Sequence, residues 1–95
     1  MAKTFVVVAY DIEDDRRRTK LHNTLMNFGC PVQYSVFECI LDKRGLKEMK
    51  AAVEKVIKKE ERDSVRYYYL CRGCRERIEV VSGVGVTRER PTIVV

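Results

Sequence analysis

The residues best suited to chemistry stand near the start of the chain, where the apolar run Phe5-Val6-Val7-Val8-Ala9-Tyr10 ends at Asp11. An unbroken run of β-branched and aromatic residues reads as a strand buried on both faces. A carboxylate at the end of such a strand is held rigidly at the rim of a sheet, beside the loop that follows. The next segment, Glu13-Asp14-Asp15-Arg16-Arg17-Arg18, adds acids and then a block of arginines within reach of that rim. Carboxylates bind hard divalent cations and guanidinium groups bind phosphates, so the pattern points to metal-assisted work on nucleic acid.

The elements that must position these groups can be read along the chain. Asp14 or Asp15 caps a first helix that runs to Phe28, with Gly29 as its stop. Leu21, Leu25 and Phe28 fall at i, i+4 and i+7 and give it one core-facing stripe. Arg18 lies one turn before Leu21, near the face turned to the sheet, whereas Arg16 and Arg17 are expected to point to solvent. Pro31 opens a long second strand, Val32 to Leu41, with Val32, Tyr34 and Val36 on one face and Gln33, Ser35 and Phe37 on the other. A face of Gln, Ser and Phe suggests an interface or a site. Asp42 caps a second helix with the stripe Leu46, Met49, Val53 and Ile57. Its lysines, Lys47, Lys50, Lys55, Lys58 and Lys59, fit either a solvated face or a nucleic-acid track. Val65–Leu70 reads as a third strand, and the turn Cys71–Cys74 as leading through a hairpin into a fourth, Ile78–Ser82. The apolar end, Thr92-Ile93-Val94-Val95, is expected to add as an edge strand to its own sheet or to a partner's.

These elements make an α+β sandwich of two layers, with two helices on one face of an antiparallel-leaning sheet. At 95 residues and 45% hydrophobic content the chain supports one core, so 1–95 is one domain with 82–95 as its tail. The sheet face left bare by the helices carries aromatic and apolar residues, and a two-fold homodimer would bury it. The net charge of +5 suits a polyanionic partner. Met1-Ala2-Lys3 shows no secretory pattern, and no apolar run approaches the ~20 residues of a membrane helix, so a cytoplasmic protein without a membrane partner is expected. Of the four cysteines, Cys30 and Cys39 read as small buried hydrophobes. Cys71-Arg72-Gly73-Cys74 is a lone CxxC without the second pair that a closed tetrahedral zinc site needs.

Several ordered motifs resemble the CRISPR-associated protein two family: Val8-Ala9-Tyr10-Asp11-Ile12, Arg16-Arg17-Arg18-Thr19-Lys20-Leu21, Gly29-Cys30-Pro31-Val32-Gln33-Tyr34-Ser35-Val36-Phe37-Glu38 and Asp63-Ser64-Val65-Arg66-Tyr67-Tyr68-Tyr69-Leu70. The resemblance implies a ferredoxin-like fold and a homodimer whose C-terminal strands pack on the partner's sheet. It implies a metal-dependent endonuclease acting on single-stranded RNA or double-stranded DNA. It also implies the central dimer of a spacer-acquisition complex with the CRISPR integrase, CRISPR-associated protein one. The family's metal-site aspartate falls on Asp11, its preceding aromatic on Tyr10, its arginine on Arg18 and its strand-two phenylalanine on Phe37. Lys20 and Pro31 depart from the arginine and the basic residue that many members carry there.

One aspartate is a poor magnesium site, since the ion wants an octahedral shell of oxygens. A two-fold axis close to Asp11 would supply a second, with water and phosphate oxygens completing the shell. Mg2+ is the expected ion, Arg18 would offset charge on the phosphoryl oxygens, and Tyr10 and Phe37 would pack on sugar or base. Plainer roles stay open. Asp11 could satisfy backbone donors of its loop, Arg18 could pair with Asp14 or Asp15, and the aromatics could be interface hydrophobes. A non-catalytic scaffold that holds duplex DNA is the alternative to the nuclease.

Overall fold

The computed structural model describes residues 2–89. Strands β1 (Thr4–Asp11), β2 (Gly29–Gln33), β3 (Val36–Leu41) and β4 (Ser64–Leu70) form one sheet in the order β2-β3-β1-β4. Every pairing is antiparallel. Helix α1 (Asp15–Leu25) links β1 to β2 and α2 (Lys43–Val56) links β3 to β4, the connectivity of a ferredoxin-like sandwich. A 3-10 turn at Lys59–Glu61 and a short helix α3 (Arg72–Glu76) complete the elements.

Strand alternation sets the core. Val6, Val8 and Tyr10 of β1 and Phe37 and Cys39 of β3 face the helices, where they meet Leu21 and Leu25 of α1 and Met49, Val53 and Val56 of α2. Burying these apolar side chains is the main force holding the two layers together. The helix caps are the two expected aspartates: Asp14 accepts from the Arg17 N–H at 2.8 Å and Asp42 from the Gly45 N–H at 2.7 Å.

Four expectations about the elements are corrected. Helix α1 ends at Leu25 rather than Phe28, because its last turn tightens: Asn27 N–H bonds the Thr24 carbonyl and Phe28 N–H the Leu25 carbonyl. Gly29 is not the helix stop but the first residue of β2. A Cβ there would lie 2.4 Å from Cys39 Sγ and 2.5 Å from the Glu38 carbonyl oxygen, so only glycine permits the close approach of β2 to β3. The long second strand is a hairpin, turning at Tyr34 and Ser35 between the paired Gln33 and Val36. Ser35 takes a left-handed φ of 67°, which ends the strand and resets the alternation. Phe37 therefore joins the core instead of sharing a face with Gln33.

The fourth correction concerns the chain after β4. Cys71 caps α3 instead of opening a hairpin, and Ile78–Ser82 is not a strand. Residues 78–86 run as a strap along the sheet face opposite the helices, lining a groove with Val36 and Glu38. The Thr87 N–H donates to Glu38 Oε1 at 2.8 Å, Arg75 donates to the Thr87 carbonyl at 3.1 Å, and the Arg75 guanidinium lies 4.8 Å from the Phe5 ring centre. That face is thus partly covered within one chain, although Tyr68, Val80, Val81 and Val84 remain exposed. The expected edge strand at 92–95 lies outside the described residues. No helix among the described residues is long and apolar enough to cross a membrane.

Candidate active-site rim

Asp11 is the last residue of β1 and pairs with Ser64 of β4. Because side chains alternate, it projects to the face opposite Tyr10, away from the helices. It is exposed, and among the described residues its carboxylate takes part in no side-chain hydrogen bond or ion pair. The backbone on both sides of it is pinned. The Tyr10 N–H donates to the Ser35 carbonyl at 3.0 Å, and Arg18 donates to the Ile12 carbonyl at 2.9 Å and the Glu13 carbonyl at 3.3 Å. An unpartnered carboxylate on a fixed backbone is what an external cation needs. The plainer role, satisfying the donors of the loop, goes to Asp14 instead.

Asp14, Asp15 and Asp63, unlike the exposed Glu13, are committed. Asp15 pairs with Arg18. Asp63, its side chain wholly enclosed, receives Arg17 Nε at 2.8 Å and the Lys58 N–H at 2.8 Å. The Arg17 hydrogen bond, with the Lys58 N–H, holds the Asp63 carboxyl below its usual range. Arg17 also meets Glu61 at 2.6 Å, and its side chain is only 16% exposed. The expectation that Arg17 faces solvent is therefore corrected. The signal was present in the spacing: residue 17 stands four before Leu21, on the same helical stripe as Leu21 and Leu25. What the spacing could not show was that Asp63 would lie opposite.

Arg18 is thus a clamp on the loop that follows Asp11, with its guanidinium spent on two carbonyls and on Asp15. Phe37 is 0% exposed, which corrects both outward roles considered for it, a contact to nucleic acid and a place in an interface. Its ring supports the rings of His22, edge-on at 5.1 Å, and Tyr10, tilted at 6.3 Å. Above them a cleft of about 320 Å³ opens between α1 and the β2–β3 turn, lined by Tyr10, Arg18, Thr19, His22, Gln33, Tyr34 and Ser35. Burial raises the Tyr10 phenol above its usual range, against the pull of the Ser35 hydroxyl and Arg18. The four site residues therefore divide: Asp11 lies on one side of the rim, and Tyr10, Arg18 and Phe37 lie on the helix side.

No group of three or more His, Cys, Asp or Glu able to hold a metal occurs among the described residues. Asp11 offers one hard oxygen donor group, which fits magnesium only as part of a shell shared with a second copy, water or phosphate. The five lysines expected on the second helix also divide, and Lys58 and Lys59 fall beyond its end at Val56. Lys50 lies over the rings of Tyr67 at 5.4 Å and Tyr69 at 5.1 Å, while Lys47, Lys55, Lys58 and Lys59 are exposed. The Cys39 thiol is pushed up to about 12 by burial, then by Cys30 and Glu38, and is inert. The exposed Cys71 is drawn below its usual value by the Cys74 N–H, which lies 3.4 Å from its sulfur, and by the Cys74 thiol.

Residues 4–78 match the family model of the CRISPR associated protein Cas2. A Chloroflexus aurantiacus protein named CRISPR-associated endoribonuclease Cas2 3 is 42% identical over 90 residues, spanning 95% of each chain. A solved Thermus thermophilus protein titled hypothetical superposes with a TM-score of 0.78 at 38% identity, covering 87% of this chain and 96% of that one. A chain in a structure titled as a partial Cas6-RT-Cas1–Cas2 complex shares the fold, with a TM-score of 0.74 at 23% identity over 97% of this chain and 99% of that one. The motif set around Tyr10, Asp11, Arg18 and Phe37, the βαββαβ sheet order and a family match over most of the length agree, and the chain belongs to the CRISPR-associated protein Cas2 family.

Proposed function

We propose that this chain is a magnesium-dependent endonuclease of CRISPR spacer acquisition, acting as a homodimer in which Asp11 of each copy faces the same ion. The observation that carries the reading is Asp11 itself, exposed and without a partner among the described residues, on a backbone pinned at residues 10 and 12. A relative 42% identical that bears the name endoribonuclease supports it. When bound, the metal supplies Lewis-acid polarisation of a phosphoryl oxygen and a water of lowered pKa. Asp11 contributes the negative charge that attracts and orients the cation. Arg18 acts one step removed, as a positioning residue: by holding the Ile12 and Glu13 carbonyls it stops the loop from swinging the carboxylate away. Phe37 acts further back, supporting Tyr10 from beneath.

The test compares purified wild type with Asp11→Asn on single-stranded RNA and on duplex DNA, with Mg2+ or with a chelator. Cleavage that survives both the substitution and the chelator removes Asp11 from the chemistry.

A second reading is a scaffold that holds duplex DNA and docks the integrase, CRISPR-associated protein one. The exposed Lys47, Lys55, Lys58 and Lys59 favour it, since they lie on the helix layer and need no contribution from Asp11. Spacer acquisition that persists with Asp11→Asn but fails when those lysines become glutamate would make scaffolding the principal role.

A further inference from the structure

The cleft beside the β2–β3 turn lends only Tyr10 and Arg18 to the function proposed above. We infer that it receives one unpaired nucleobase of the substrate strand, stacked on Tyr34 and met along its edge by Gln33 and Ser35, with the strand continuing over the rim to the face where Asp11 stands. Only that last clause rests on the nuclease reading.

Three observations converge on it. Tyr34 stands at the tip of the hairpin with 83% of its surface exposed, beside a cleft of about 320 Å³. A large flat ring presented to water at the mouth of a cleft walled by other aromatic rings is a platform for another flat ring. Next, Ser35 is held at a φ of 67°, a region that glycine or asparagine enters with less strain. Holding serine there keeps a hydroxyl at the cleft, next to the amide of Gln33, and the two offer donors and acceptors to a base edge. Last, the cleft and Asp11 share one frame. The Ser35 carbonyl receives the N–H of Tyr10, the residue before Asp11, and Arg18 holds the carbonyl of Ile12, the residue after it. The inner wall does not yield, because Tyr10 and His22 rest on the fully enclosed Phe37. A base in a duplex has its faces stacked and its edge paired, so the cleft selects single-stranded or unpaired substrate.

Binding measured in chelator, without cleavage, tests this directly. The probes are a short single-stranded RNA carrying 2-aminopurine and the same sequence as a blunt, fully paired duplex. Tyr34→Ala is expected to weaken single-strand binding by roughly 5–100-fold, to leave duplex binding unchanged and to abolish the change in 2-aminopurine emission. Tyr34→Phe should retain both. Tyr34 is exposed, so neither variant threatens folding. Unchanged single-strand affinity in Tyr34→Ala overturns the inference, as does an equal loss on both probes. If the binding difference holds while wild type cuts nothing, the cleft stands and the nuclease reading falls. Cleavage with no Tyr34 effect gives the opposite result.

Discussion

Asp11 and Asp63 stand at the same end of neighbouring strands: Asp11 pairs with Ser64 across β1 and β4, and Asp63 directly precedes Ser64. Asp63 is enclosed and satisfied by Arg17 and the Lys58 N–H. It ties α1 to the turn that enters β4. Asp11 is exposed, and no described side chain pairs with it, although arginines stand close by in sequence. Two acids of one type at one rim have thus been put to different uses, one closing the fold and the other left open to something outside it. A buried charge is costly unless fully paired, so the first must be complete within the chain. A metal ligand must keep its lone pairs available, and in the function proposed above that is the part given to the second.

The widest separation between them is expected in activity. Asp11→Asn should lower metal-dependent cleavage by roughly 100-fold or more, while stability stays within about 0.5 kcal/mol of wild type, as for other exposed substitutions. Single-turnover cleavage and chemical denaturation measure the two. Arg18→Leu tests whether Asp11 depends on its loop. A positioning role predicts a fall of roughly 10–100-fold in cleavage or metal affinity, reversed in part by excess Mg2+. An unchanged metal dependence would break the link between the clamp and the carboxylate.

Asp63→Asn should do the reverse of Asp11→Asn, lowering the melting midpoint by several degrees while the folded fraction keeps its activity. Replacing Arg17 and Asp63 together by leucines should recover part of that loss, because no orphaned charge is left in the interior. Acid should act through the same pair. The folded-state pKa of Asp63 is depressed. Its contribution is therefore present above the ordinary aspartate value of about 3.9 and is lost as pH falls through the depressed folded value. Denaturation midpoints followed from neutral pH down to about 3 should show this loss in wild type and a smaller one in Asp63→Asn.

The smallest effect extends the contrast to the cysteines. Cys71, exposed and drawn down by Cys74, should alkylate well before Cys39, which is buried with its pKa near 12. Mass spectrometry of partly alkylated protein gives the order.

Much of the fold was legible because hydrophobic periodicity and capping chemistry are local. Asp14 and Asp42 announced both long helices, and the run Phe5–Tyr10 announced the central strand. The hairpin at Tyr34-Ser35 was not legible. Neither glycine nor asparagine marks it, and a serine in left-handed backbone leaves no composition signal. That single turn changed the face of Phe37 and removed it from the set of side chains able to touch substrate. The strap after β4 was missed for a related reason: its valines read as strand, but it is held by Glu38 and Arg75, which are distant in sequence or lie in another element.

The first strand, the two long helices with their caps, the family motifs and the position of Asp11 at a strand end follow from residue types and their spacing along the chain. Which side of the sheet each of those residues faces, that Arg17 is closed against Asp63 while Asp11 stays open, and that a cleft forms behind the hairpin tip follow from packing. The physical reason is range. Propensity and periodicity act over a few residues, whereas enclosure and charge pairing depend on which distant segments meet, and that is known only once the chain has folded.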